Sequence, residues 1–242
     1  MAELQELLDK VKTYDWGQSR LALTEVSDII KVAFGSPAKL SEIEKSLIGL
    51  LQSDATYAGK QYVCRELSII GTEQSVPALA KMLTNDEYSD MARYALERIP
   101  GEAVDEALRD ALPKTSGKTK VGIINTLGER KDSKASAALS SLIYDSDRMV
   151  SEAAASALGK IGGSGAIEVL AKAKGETSGK LSAIGGVVLD AYLKCADQLA
   201  AQDKKEQALA IYKELSSEEL PQVIRAAAAL GRLKIATKGK KD

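Results

Sequence analysis

Two rows of leucine run through the middle of this chain in step, and they constrain its fold more than any other feature. The first row is Leu67, Leu96, Leu127 and Leu158, and the second is Leu79, Leu108, Leu139 and Leu170. Both advance by 29, 31 and 31 residues, and in every copy the second leucine follows the first by 12. A period of this size, repeated in two positions at once, is the mark of stacked helical hairpins. One short hairpin cannot hide an apolar stripe on both of its sides, so each copy requires a neighbour.

The copy from Ser146 to Lys174 shows the plan. Asp147 is a candidate cap for a helix whose Val150, Ala154, Ala157, Leu158 and Ile161 fall at helical spacing, and Gly162-Gly163 then supplies residues that tolerate positive φ. A second helix follows, with Ile167 and Leu170 expected to face the first. The other copies carry Val63, Leu67 and Ile70 before Val76, Leu79 and Leu83; Ala92, Leu96 and Ile99 before Val104, Leu108 and Leu112; and Val121, Ile124 and Leu127 before Ala135, Leu139 and Ile143. The breaks fall at Gly71, Pro100, Lys131 and Gly162, three of which are residue types that end helices.

The run Ala153-Ala154-Ala155-Ser156-Ala157-Leu158-Gly159-Lys160-Ile161-Gly162, followed by Ala166-Ile167-Glu168-Val169-Leu170, resembles the HEAT-like repeat named after phycobilisome lyases. Gly71 through Leu79 is similar to the same pattern, and the resemblance covers residues 53–174. It implies an all-α fold, a right-handed α-solenoid (superhelix) of HEAT-like helical hairpins. Where that family often places Arg early in the first helix, this chain has Lys60, Ser89, Lys120 and Ser151.

The expected organisation is a single solenoid over residues 1–242. Residues 1–52 form N-terminal capping helices, 53–174 the four clear repeats, 175–236 a longer C-terminal hairpin and capping helix, and 237–242 a basic tail. Candidate helices in the flanks run over 18–34 and 40–51, then 179–199 and 204–215. Ala208 through Leu215 is similar to a tetratricopeptide second helix, and Arg225 through Gly231 resembles the start of another copy.

Composition narrows the chemistry. Apolar residues make up 45% of the 242 but aromatics only 4%, so the interior must be built from Ala, Leu, Ile and Val. With 33 Lys and Arg against 34 Asp and Glu, there is no large field to attract nucleic acid or an anionic membrane. There is no histidine, which removes Ser-His, Cys-His and His-metal mechanisms from the chain's own repertoire. The paired His-Glu iron site of HEAT-like hydroxylases therefore does not carry over, and neither does bilin-lyase activity, since the likeness is to the scaffold alone. Cys64 and Cys195 sit in apolar helical contexts and read as small buried hydrophobes.

Sequence motifs for catalysis fail on spacing. The glycine that a phosphate loop ending in Gly117-Lys118-Thr119 requires is Leu112, and the sixth position of a calcium loop beginning at Asp145 is Val150. Gly162-Gly163-Ser164-Gly165 does not have the spacing of a nucleophile elbow. Carboxylate pairs such as Glu42-Glu44 and Glu218-Glu219 are expected on polar faces, and Glu102, Asp105, Glu106 and Asp110 form an acidic strip on one second helix.

No catalytic, cofactor-binding or metal-binding residue is assigned, and the expectation is a protein that is not an enzyme. Its partner-binding inner face is read from the outward register of the second helices: Lys81, Glu106, Asp110, Ser141, Glu168 and Lys172, with Pro77 and Ala137 in the same rows. This mixed row suits a protein or peptide partner in an interaction scaffold. Nucleic-acid or anion binding and an enzyme using carboxylates in a cleft beside the C-terminal helices are the alternatives. Tyr57, Tyr62, Tyr88, Tyr94 and Tyr144 serve either packing between hairpins or an interface. Nothing in the sequence is long and apolar enough to span a bilayer. A monomer or weak oligomer is expected, cytoplasmic for the sequence as given and extracytoplasmic for a chain whose signal peptide has been removed.

Overall fold

The computed structural model describes residues 2–176 and 183–238, and among these every regular element is helical. Their contacts group the chain into two compact units, Met1–Thr115 and Ser116–Asp242. The first unit begins with α1 (Ala2–Thr13), α2 (Leu21–Ala33) and α3 (Pro37–Leu51). It continues with α4 (Tyr57–Ile70) and a 3-10 turn, Glu73–Ser75, that runs into the short α5 (Val76–Ala80), then α6 (Ser89–Leu96) and α7 (Glu102–Ala111). Within it α4 packs on α6 and α5 on α7, so first helices form one layer and second helices another.

The second unit repeats this arrangement. It holds α8 (Gly117–Glu129), α9 (Ser136–Leu142), α10 (Arg148–Ile161), α11 (Gly163–Gly175), α12 (Gly185–Ala201), α13 (Lys205–Glu214) and α14 (Gln222–Lys238). Helix α10 lies between α8 and α12, while α9 meets α11 and α12 carries α13 and α14. Residues 179–182 of the expected 179–199 helix, and 239–242 of the basic tail, lie outside the described residues. Among the described residues no helix is long and apolar enough to cross a membrane.

Both leucine rows form the core: all eight leucines are at 0% exposure. The aliphatic partners Val63, Ile99, Val104, Ile124, Ile143 and Ala154 are buried with them. Three positions depart from the expected register. Val121, Ile161 and Ile167 are only half-buried, and Ala166, at 1% exposure, makes the inward contact expected of Ile167. The reason is that α11 starts directly after Gly162, which places 166 and 170 on its inner side.

The helix ends follow local chemistry. The Asp147 carboxylate accepts from Met149 N at 2.9 Å and the Thr56 hydroxyl from Gly59 N at 3.1 Å, each satisfying a donor that the first turn leaves open. Gly162 takes φ 68, and Lys131 also takes a positive φ, 56, so the one break without a helix-ending residue still turns through positive-φ backbone.

Small residues set how closely first helices approach. A Cβ on Gly128 would lie 2.9 Å from Ala157 of α10, and one on Gly159 would lie 2.7 Å from Ala191 of α12. The alanine-rich run is thus a contact surface between neighbouring helices. Gln198 of α12 adds a polar tie, its side-chain amide donating to the carbonyls of Gly159 and Lys160 at 3.0 and 2.9 Å. One hairpin therefore caps the helix of the one before it.

Two outcomes follow. Leu127→Ala or Leu158→Ala should cost about 2 to 5 kcal/mol, the range for emptying a fully buried leucine site, seen as a lowered urea midpoint. Gln198→Ala should cost about 1 to 2 kcal/mol, because two helix-end carbonyls lose their donor. Unchanged midpoints in both would contradict the packing described.

Candidate functional site

The six residues expected on the partner face are all exposed. Lys81 sits at the C-terminal boundary of α5, Glu106 and Asp110 lie on α7, Ser141 on α9, and Glu168 and Lys172 on α11. In the first unit α5 and α7 are in contact, as are α9 and α11 in the second, so within each unit the residues stand on adjacent second helices. Each helix turns its leucine inward and these side chains outward, because each stands two positions from its leucine and is therefore turned about 200° around the helix from it. Pro77 and Ala137 are exposed in the same rows. The acidic strip on α7 is partly neutralised within its own helix, where Arg109 pairs with Glu102 at 2.7 Å.

The tyrosines differ in burial and contacts. Tyr62 is buried, and its hydroxyl donates to the Leu23 carbonyl at 2.8 Å. Tyr57 and Tyr88 are half-buried and form a chain of rings with the exposed Trp16, with centroids 5.4 and 5.9 Å apart and the Lys60 ammonium 5.1 Å from the Tyr88 ring. Tyr94 is exposed, with the Arg98 guanidinium 4.0 Å from its ring centre.

Among the described residues two glutamates are buried, Glu44 against the expectation of a polar face and Glu66 with no expectation attached to it. Glu44, expected on a polar face, is 1% exposed and accepts from Thr72 N at 2.7 Å and from the Ser75 hydroxyl at 2.6 Å. It thereby holds the turn of the next hairpin. Glu66 is also buried and accepts from the Ser27 hydroxyl at 3.1 Å. Burial raises its pKa above the ordinary glutamate value, against the opposing effects of the Ser27 hydrogen bond and the Arg65 charge. A signal existed for both. Glu44 stands three positions before Leu47, and Glu66 adjoins Leu67 and follows Val63 by three, so each falls on the apolar side of its helix.

The cleft beside the C-terminal helices has a volume of about 720 Å³ between α10, α11, α12 and α13. Among its lining residues the only carboxylate is Glu168, with the amides of Gln198, Gln202 and Gln207 and the ammonium of Lys204 around it. Cys195 also lines it, and burial pushes its thiol up to about 11, which keeps it protonated at neutral pH. Cys64 is buried as well, its thiol raised to about 12 for the same reason. Among the described residues no group of three or more Cys, Asp and Glu comes together where it could hold a metal ion. Asp145 and Asp147 act as turn and cap acceptors, and Gly117 opens α8.

With this geometry in view, residues 105–181 match the family model for HEAT repeats. No curated protein matches the chain. Among solved structures, human deoxyhypusine hydroxylase in complex with glycerol is similar at 15% identity, over 79% of this chain and 96% of its own, with a TM-score of 0.42. An engineered protein is similar at 19% identity, over 98% of this chain and 69% of its own, with a TM-score of 0.46.

The buried Glu66 makes a pH prediction with a definite sign. Its folded pKa lies above its unfolded one, so the folded state holds the proton more tightly, and this contribution to stability is complete below the unfolded value and lost as pH rises through the folded one. Glu66→Gln keeps an acceptor for Ser27 and removes the charge. Unfolding free energies measured from acid to neutral pH should show wild type losing ground to the variant as pH rises above the ordinary glutamate range, and parallel profiles would contradict it.

Proposed function

We propose that this HEAT-like repeat protein is a non-enzymatic interaction scaffold whose hairpins continue one another as a right-handed α-solenoid and offer the outer sides of their second helices to a protein or peptide partner. The observation that carries this reading is the division of labour on those helices. Every leucine row is consumed by the core, and Lys81, Glu106, Asp110, Ser141, Glu168 and Lys172 are all left to solvent. A row of mixed sign, with small uncharged residues between, offers hydrogen bonds and paired charges to a polypeptide surface. It does not supply the repeated cations and stacking rings by which a protein tracks a phosphate backbone. The cleft between α10, α11, α12 and α13 has Glu168 as the lone carboxylate of its lining and so offers no second acid there for acid-base work.

The test is site-specific photo-crosslinking with the probe placed at Glu106 or Lys172, in extract of the cells that make the protein. The expected result is a discrete polypeptide adduct that weakens when Asp110 or Glu168 is reversed to Lys. A mixed-sequence DNA or RNA retarded at low salt, with no polypeptide adduct, would overturn the proposal.

A further inference from the structure

Two features of the surface lie apart from the second-helix row. The first is a groove of about 560 Å³ between α1, α2 and α3. Its floor is apolar, with Leu4, Leu7, Ile29 and Ile43, and Val32 stands on its edge at 82% exposure. Its rim carries four acids, Glu3, Glu25, Asp28 and Glu42, against the single Lys39, and Asp28 shares the nearby Lys31 at 2.8 Å.

The second feature is α14. Its inner side, with Ile224, Ala228 and Gly231, is buried against its own molecule. On the opposite side Val223, Ala226, Leu230 and Leu233 are exposed, Val223 at 72%, Leu230 at 52% and Leu233 at 58%. Their spacing of three, four and three residues puts them in one stripe along the helix. Among its described side chains the helix carries three cations, Arg225, Arg232 and Lys234, and no acid. The groove and the helix are complementary both in their apolar surfaces and in charge. An amphipathic helix laid in an apolar groove is a recurrent recognition mode, and opposite charge around it sets orientation and encounter rate.

We infer that the α1–α3 groove receives the exposed stripe of α14 from a second copy of this chain. Leu230 and Leu233 enter the floor beside Ile29 and Val32, and the basic flanks of α14 face the acidic rim. This contact is heterologous: each copy offers one groove and one stripe, so association proceeds head to tail and leaves one of each unfilled at the ends. It is independent of the scaffold reading, which concerns the second helices of the repeats.

Sedimentation velocity on the full chain, over a concentration series at low and high salt, reads this out. The expected result is a weight-average mass above that of the monomer that rises with concentration and falls with salt. Leu233→Asp spoils the stripe and Val32→Asp spoils the groove. Both positions are exposed, so circular dichroism melts should match wild type, and each change should weaken self-association by roughly tenfold or more, as loss of an apolar anchor does. The decisive arm is a mixture of the two variants. One retains an intact groove and the other an intact stripe, so together they should form a one-to-one pair and no larger species. A monomer under all conditions overturns the inference, as does association that either variant leaves unchanged. Loss of association with Leu233→Asp alone also overturns it, because the stripe would then meet a second α14 or another surface.

Discussion

The structure depends on the inability of any one hairpin to bury its own apolar surface. A helix pair of the size of α8 and α9 has a leucine stripe on each side and water on at least one of them unless another pair arrives. At roughly 25 cal/mol per Å² of apolar area, leaving such a stripe wet costs more than a short helix gains from its own hydrogen bonds. The eight leucines at 0% exposure show how fully neighbours meet that requirement. Short elements such as α5 and α9 hold their place on the same account, since helices of that length are marginal alone and are kept by what they pack on.

Secondary interactions fix the spacing that the leucines demand. Gly128 against Ala157, and Gly159 against Ala191, bring first helices close enough for dense packing. Polar ties then run between hairpins in both directions along the chain's order. Gln198 caps the end of α10, and Glu44 holds the turn after α4, each reaching from one hairpin to the backbone of another. The buried Glu44 carboxylate is therefore a clamp at a helix end, while Glu66 ties α4 to Ser27 within α2. Once the inward residues are committed to the core, the outward ones are free to serve recognition, which is why the functional proposal rests on what the fold leaves unused.

Much of this was legible in the residues, for a physical reason. A helical period marks which side of each element is apolar, and two rows in phase mark which elements are equivalent, so the core, the breaks at Gly71 and Gly162 and the cap at Asp147 were all readable. The exposure of Lys81, Glu106 and Lys172 follows from the same period. The burial of Glu44 was missed because the Glu42-Glu44 pair was assigned to a polar face by residue type, when the position of Glu44 three residues before the inward Leu47 was the stronger signal. The half-burial of Ile167 was missed because it turns on where α11 begins, and a shift of one residue rotates a helix face by 100°. The groove between α1, α2 and α3 needs three elements to meet, which a one-dimensional pattern does not contain. What a surface binds is set by the complementary chemistry of another molecule, and that is written in a different chain.

Native-state amide hydrogen exchange tests mutual burial most directly. Helix α10 is covered by α8 on one side and α12 on the other, whereas α14 keeps an open side. If neighbours supply the stability, the central amides of α10 should open only with a free energy near that of global unfolding, while those of α14 exchange through much smaller openings. Equal protection of α10 and α14, or fast exchange at Leu158, would contradict the account.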